Sequence, residues 1–336
     1  TALVTFLPLG LLGGSLLFGP IVDRFGHKAL LLLSCLVVLL GLEGIAFFTS
    51  IPLLQVSIIG IGLGGGILNG ETNALVADIS NEAEKGSRLS LLGAFYGIGA
   101  LGIPVLLSFL SEYYSFEIIL QGTGMVMLIG ILFCLGIRFP APKQPQGFPI
   151  KEGLGLLKES SLLLLSFILF FQSGIEGVCN NWTTLYLGQT TGIPENRALI
   201  ALTCMVAGLT VARLLLVVLF KKIKQETVLR TSLITAVAGF ALLTFAPGFA
   251  RAAIGMALIG AGLASTFPVI LSIIGSRYAS LSGTAFSVAL VIALIGQTLL
   301  NSLTGIISQG YGIVVYPYMM IVSLLIMLLL FKRSLK

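Results

Sequence analysis

Three carboxylic acids sit well inside long apolar runs of this 336-residue chain: Glu43, Glu71 and Glu176. A charged group at the centre of a bilayer costs about 2.5–3.5 kcal/mol on insertion scales, and acids at such depth usually mark a solute or proton pathway. Two of the three keep polar company. Glu71 lies in GGGILNGETNALVAD, residues 64–78, between Asn69 and Asn73, which are four apart and share a helix face. It is two turns, roughly 10 Å, from the end of its run at Asp78, which predicts a place near the membrane midplane. Glu176 lies in FFQSGIEGVCNNWTTLY, residues 170–186, where Gln172, Glu176 and Asn180 recur every fourth position and form one polar stripe. Amides and carboxylates of this kind hydrogen-bond a hydroxylated solute. Desolvation favours the neutral form of a carboxyl, so an acid held there is suited to take a proton at one membrane face and release it at the other. Trp182, the sole tryptophan, follows on the same segment and is placed either to stack on a sugar ring or to anchor at the interface. Gln297 and Asn301, again four apart, add a polar face from a later segment. The plain alternative for each of these groups is a hydrogen bond that joins helices in lipid.

The elements that must position these residues are membrane spans. The chain is 57% hydrophobic and 10% charged, where a soluble domain carries about 25% charge. Runs long enough to cross a bilayer, about 20 residues each, fall at 1–22, 29–48, 52–78, 89–111, 117–138, 161–187, 197–220, 227–247, 250–275, 281–308 and 312–331. In the ninth of these, Ser265, Thr266 and Pro268 (ASTFP) predict a break in the helix. Alternate connections and the tail 332–336 carry sixteen of the nineteen Lys and Arg, against two, Arg197 and Arg251, on the opposite side. Basic short loops stay in the cytoplasm, so this asymmetry predicts a cytoplasmic C-terminus and accounts for the net charge of +6 without a nucleic-acid partner. The connection 139–160 holds four prolines and divides the spans into two groups. The expected organisation is an N-terminal bundle over 1–138, a cytoplasmic linker over 139–160 and a C-terminal bundle over 161–336. With the tail inside and eleven spans, Thr1 falls outside. An odd count and a first residue other than Met predict that one further helix precedes this sequence.

Several functional classes are disfavoured by residue type alone. Cys35, Cys134, Cys179 and Cys204 all fall in apolar runs, without metal-site spacing, and read as packing residues. An intramembrane metalloenzyme needs clustered histidines and acids; the single histidine, His27, sits in a turn and reads as a solvated charge. No Lys lies at midplane depth to serve a Ser–Lys enzyme. The glycines from Gly60 to Gly66 read as helix-packing positions, because no strand precedes them to make a phosphate loop. Glu43 reads as a structural hydrogen-bonding group, and Arg213, eight residues from the basic end of its span, as a side chain that snorkels to the surface. No metal or cofactor is expected.

The first hairpin, G-P-I-V-D-R-F-G-H-K from Gly19 to Lys28, gathers Asp23, Arg24, His27 and Lys28 between two apolar runs. Gly19 admits a neighbouring helix, Gly26 permits a tight reversal, and Asp23 suits a helix N-terminus, where the dipole favours an anion. An ordinary positive-inside turn is the simpler reading. The segment resembles the loop between the second and third helices of the major facilitator superfamily, G-x-L-A-D-R-x-G-R-K: Gly19, Asp23, Arg24, Gly26 and Lys28 match, while Val22 replaces a small residue and His27 an Arg. The resemblance extends over the whole chain and implies an all-α, two-bundle major facilitator fold with eleven of twelve spans present, and a hairpin that latches the bundles in one conformation.

Two segments resemble the fucose/glucose/galactose permease group of sugar–proton symporters more narrowly. Asn73 matches the Asn of a helix-four stretch L-E-T-x-x-N, and Gly174 and Glu176 match a helix-seven stretch Y-V-G-A-E. The departure is at residue 69, where Asn stands in place of the acid, the nearest acid being Glu71. The expectation is a multi-pass secondary transporter of a bacterial cytoplasmic membrane, working as a monomer in lipid. It would move a small polar solute, a sugar, with the proton as coupling ion. Asn69, Glu71, Asn73, Gln172, Glu176, Asn180, Trp182, Gln297 and Asn301 would contact solute, with Glu71 and Glu176 as coupling acids. Export of drugs or other amphipathic solutes, or a receptor that no longer transports, are the alternatives.

Overall fold

The computed structural model describes residues 6–144, 147, 150–245 and 248–334, and every regular element among them is helical. Residues 1–5 of the first expected span, 145, 146, 148 and 149 of the linker, 246 and 247 of the eighth span, and 335 and 336 of the tail lie outside the described residues. The helices are α1 (Phe6–Phe25), α2 (His27–Phe47), α3 (Ile51–Asp78), α4 (Lys85–Leu110), α5 (Phe116–Gly136), the short α6 (Ile150–Leu156), α7 (Ser160–Thr191), α8 (Glu195–Leu219), α9 (Gln225–Thr244), α10 (Phe249–Leu263), α11 (Thr266–Arg277), α12 (Ser282–Tyr311) and α13 (Tyr316–Ser334). They supply 11 stretches long and apolar enough to cross a membrane, at the positions expected from the sequence. Helices dominate because a bilayer offers no water to a free backbone amide, so each span must satisfy its own hydrogen bonds.

One span is interrupted where the sequence predicts it. α10 and α11 together form Phe249–Arg277, with the regular helix broken at Ala264 and Ser265. The cause is Pro268: it has no N–H to offer the carbonyl four residues earlier, that of Ala264, and its ring crowds the preceding turn.

Two compact units are distinguished by their internal contacts. The first comprises Thr1–Ile79, Ile103–Glu159 and Ile274–Val291; the second comprises Ser80–Gly102, Ser160–Ile273 and Ile292–Lys336. In the first, α3 packs on α1 and α2, and α2 on α5. The α1–α3 contact is reciprocal, because Gly10 and Gly14 lie against the backbone of Ile59 to Ile67 while Gly62 and Gly66 lie against Leu7, Gly10 and Leu11. Gly64, on another face of α3, lies against Ser34 and Val38 of α2. The glycine run therefore brings two neighbours to backbone contact, the usual device where lipid gives no hydrophobic drive between helices. In the second unit α10 packs on α8 and α9, and α7 on α8 and α13. Gly208 and Gly260 make the α8–α10 contact in the same manner.

A side chain at Gly14 would meet the backbone of Leu63, whereas one at Gly13 would touch only a Leu63 methyl group. Gly14→Val is expected to destabilise the protein by about 1–3 kcal/mol, and Gly13→Val to be tolerated. Thermal denaturation of the two variants in detergent, compared with wild type, checks this difference.

Candidate functional site

Charged and polar side chains gather in two places, one in each unit. In the first unit the gathering point is the α1–α2 hairpin. Gly26 has φ +81°, a conformation that other residues rarely adopt, and its N–H bonds the Val22 carbonyl at 2.8 Å. This reversal leaves Asp23 in the last turn of α1 with a side chain only 1% exposed. The carboxylate accepts hydrogen bonds from the Gly283 N–H (3.2 Å), the Thr284 N–H (2.8 Å) and the Thr284 hydroxyl (2.6 Å). These donors form the first turn of α12, so Asp23 occupies a helix N-terminus, where orphan amides and the dipole both favour an anion. Gly19 admits this contact, because a side chain there would collide with Gly283, Thr284 and Ser287. Ser287 adds hydrogen bonds to the Ser15 and Leu16 carbonyls, at 2.6 and 3.0 Å.

His27, the first residue of α2, is held between two acids. Its Nδ1 is 2.9 Å from Glu71 Oε1 and its Nε2 is 3.0 Å from Asp78 Oδ2. Glu71 and Asp78 are seven residues apart, two turns of α3, and so present both carboxylates to one ring. With both carboxyls ionised, each ring nitrogen carries a hydrogen and the ring is a cation between two anions. Asp78 Oδ1 also accepts from Lys143 Nζ (2.7 Å) and Ser282 Oγ (2.9 Å). Lys28 donates to the Leu135 and Ile137 carbonyls at the end of α5, at 2.8 and 3.1 Å. Arg24 lies over the Phe25 ring at 5.1 Å.

This geometry corrects two expectations. His27 is not a solvated loop charge; it is 4% exposed and bound on both sides. Glu71, expected to contact solute along with Asn69 and Asn73, faces away from the exposed Asn69. Its side chain is fully buried, turned to His27, and Glu71 Oε2 has no hydrogen-bond partner among the described residues. Asn69 is exposed, and Asn73 Nδ2 donates back to its carbonyl at 2.7 Å. Two turns were enough to bring Glu71 under the hairpin, because the His27 ring reaches inward from the start of α2.

In the second unit, α7 carries the polar stripe. The Gln172 amide is fully buried and donates to Glu176 Oε1 (2.8 Å) and to the carbonyl of Leu263 (3.1 Å), the last residue of α10. Both its N–H groups are thus used, and its oxygen has no partner among the described residues. Glu176 is half-buried and interacts electrostatically with Arg213 of α8. One turn beyond, Asn301 of α12 accepts from Asn181 Nδ2 (2.9 Å) and Trp182 Nε1 (3.2 Å), and donates to the Gln297 carbonyl (2.7 Å). Gly177 allows this approach, since a side chain there would strike Gln297 and Asn301. Trp182 also lies beside Gly305.

The structure therefore gathers Gln172, Glu176, Trp182, Gln297 and Asn301. The expected Asn180 is exposed, and its neighbour Asn181 makes the bond to α12 instead. Arg213 does not snorkel: it is buried, donates from Nη1 to the Gly93 carbonyl at 2.9 Å, and accepts a bond from Ser90 at its own carbonyl. Glu43 lies half-buried against Gly124 of α5. Asp78, Ser282 and Thr284 were missed because each lies at the edge of a span, and Lys143 because it lies in the linker, where a charge or hydroxyl is ordinary. Only the pairing in space gives them meaning.

The profile of the Major Facilitator Superfamily matches residues 1–299. The chain belongs to the Major Facilitator Superfamily. It is an integral, multi-pass membrane protein with the fold of this transporter superfamily. Among its superfamily relatives, the glucose/mannose transporter GlcP of Bacillus subtilis (strain 168) is 24% identical over 339 residues, covering 92% of this chain and 81% of the relative. An uncharacterised transporter of the superfamily from the same bacterium, YfkL, is 23% identical over 306 residues, covering 88% of this chain and 76% of the relative. The crystal structure of the E. coli fucose:proton symporter FucP superposes with a TM-score of 0.85 at 18% identity, covering 99% of this chain and 91% of the other. At that identity the likeness concerns the superfamily fold alone.

Asp78 keeps two partners when His27 is removed, whereas Glu71 keeps none. His27→Ala is therefore expected to destabilise the protein by about 3–5 kcal/mol, the usual penalty for orphaning a buried charge. Adding Glu71→Gln to that variant should restore part of the loss, as read from thermal midpoints of the two single variants and the double variant. A double variant no more stable than His27→Ala would show that the pair is not coupled.

Proposed function

We propose that this protein is a secondary transporter that moves a small hydroxylated solute, of the sugar class, across a bacterial cytoplasmic membrane by alternating access, with proton binding at Glu176 as the coupling step. The observation that carries the reading is the polar face shared by α7 and α12. Gln172 and Glu176 lie on one turn, and Asn181, Trp182, Asn301 and Gln297 lie just beyond. This set suits a sugar better than a greasy drug. Amide and carboxylate groups match hydroxyls, and an indole offers a flat apolar face to a sugar ring. One relative named for glucose and mannose, and a like-folded symporter named for fucose and proton, support the same class.

Asn69, Asn73 and Asn180 are candidates for further solute contacts, since their side chains are not fully buried. Glu71, enclosed with His27, is assigned to the hairpin rather than to solute. Asp23 with the first turn of α12, together with Gly19, Arg24, Gly26 and Lys28, is assigned the role of a conformational latch, because a carboxylate on three donors is a contact that can be broken and remade as a unit. The distribution of Lys and Arg supports a cytoplasmic C-terminus.

Uptake of radiolabelled glucose and fucose into vesicles, with an imposed pH gradient, tests this proposal. Flux should depend on the gradient and fall steeply in Glu176→Gln. In the same assay, Asp23→Asn should slow turnover while leaving the half-saturating solute concentration within a few-fold of wild type. Normal flux in Glu176→Gln would remove that carboxyl from the mechanism, and flux indifferent to the gradient would remove proton coupling.

A further inference from the structure

The break between α10 and α11 leaves more oxygen atoms than the fold uses. Pro268 removes the N–H that would have served the Ala264 carbonyl. Ser265 stands just before α11, where a serine normally accepts a bond from the second or third amide of the helix. The third residue is Pro268, which has none, and Ser265 Oγ has no partner among the described residues. Thr266 Oγ1 is likewise without a partner, and both residues are fully buried. From the facing helix, Gln172 bonds the Leu263 carbonyl through its nitrogen and has its own oxygen unpaired. The opposite amide orientation would set that oxygen against Leu263 O and Glu176 Oε1, both acceptors, so the network fixes the assignment. Glu176 completes the group through its bond to Gln172.

We propose that these residues, Ala264 through its carbonyl with Ser265, Thr266, Gln172 and Glu176, form a binding site for a dehydrated monovalent cation of the sodium class, which competes with the proton for the Glu176 carboxylate. This deepens the transport reading and rests on its assignment of Glu176. The chemistry of the donor set decides the ligand class. Both N–H groups of Gln172 are spent, the backbone contributes a carbonyl, and the two hydroxyls can turn their lone pairs inward. What remains is an acceptor-rich set of neutral oxygens beside one acid, the ligand type of hard cations. Broken membrane helices offer freed carbonyls and half-helix C-terminal ends to sodium or protons in other transporters, and the negative end of the α10 dipole lies at this break. The groups that act on Glu176 are Arg213 of α8, whose charge opposes a cation, and Cys179 on its own helix, which accepts a hydrogen bond from Tyr316 of α13. From α12 come only the amides Gln297 and Asn301, and the titratable residue of α10, Arg251, lies at the other end of that helix. With Arg213 nearby, binding should be weak and should depend on every neutral ligand.

Melting of the purified protein without solute, followed by the fluorescence of Trp182, tests the site. Sodium should raise the midpoint above that in potassium or N-methylglucammonium at matched ionic strength and mildly alkaline pH, and the rise should shrink at mildly acidic pH. Ser265→Ala and Thr266→Ala should each raise the half-saturating sodium concentration about tenfold, the scale on which loss of a supporting ligand acts. Equal midpoints in the three cations, or a sodium effect untouched by both hydroxyl variants, would overturn the site; a sodium effect equally large at acidic pH would overturn competition with the proton. Because binding is read without solute, failure of sugar uptake would defeat the transport reading while leaving this result intact.

Discussion

A polar atom inside a bilayer has no water to fall back on, and this constraint orders the structure from its glycines to its acids. Backbone amides are satisfied within helices, and those helices reach one another through bare glycine faces such as Gly10, Gly14, Gly62 and Gly66. Where an ionisable group is buried, a partner of opposite charge or a helix end is found beside it. Asp23 takes the amides of α12, His27 takes two carboxylates, and Arg213 takes the Gly93 carbonyl and the field of Glu176. The unpaired oxygens of Gln172, Ser265 and Thr266 stand out against that rule: Ser265 and Thr266 stand at the break between α10 and α11, and Gln172 bonds the Leu263 carbonyl just before it.

Glu71 and Glu176 show how one residue type comes to do two kinds of work. Both are glutamates within apolar spans, in Gly-rich, Asn-bearing segments, and residue type and spacing alone do not rank them. In the fold, Glu71 is closed off with a cation that reaches in from the neighbouring helix, which makes it part of the framework that holds the hairpin. Glu176 is half-buried, shares an amide with a helix break, and precedes Gly177, which lies against the Gln297 and Asn301 side chains of α12. A carboxyl in the second setting is suited to exchange partners, and one in the first is suited to keep them.

Much of the fold was legible because its causes are local. Apolar length marks the spans, Pro268 marks the break, and the Gly-Asp-Arg-Gly-Lys pattern marks the hairpin; each depends on residues within a few turns. The candidate site was legible only as far as helical periodicity reaches. Spacing of four put Gln172 with Glu176 and Gln297 with Asn301, and the structure joins both pairs. It could not tell that Asn181 rather than Asn180 meets Asn301, since that depends on how α7 is rotated against α12. Nor could it find the partner of His27, because a ring at the edge of a span looks solvated until another helix is packed over it.

The central claim is that the shared face of α7 and α12 is wet and binds solute. Asn301→Cys, in a protein whose four native cysteines are replaced, puts a reporter on that face. Labelling by a water-soluble, membrane-impermeant maleimide in vesicles should proceed readily and should be slowed by whichever of glucose or fucose the protein carries. A thiol at this position that resists the reagent from both sides of the membrane, or that reacts at the same rate with saturating sugar present, would contradict the account.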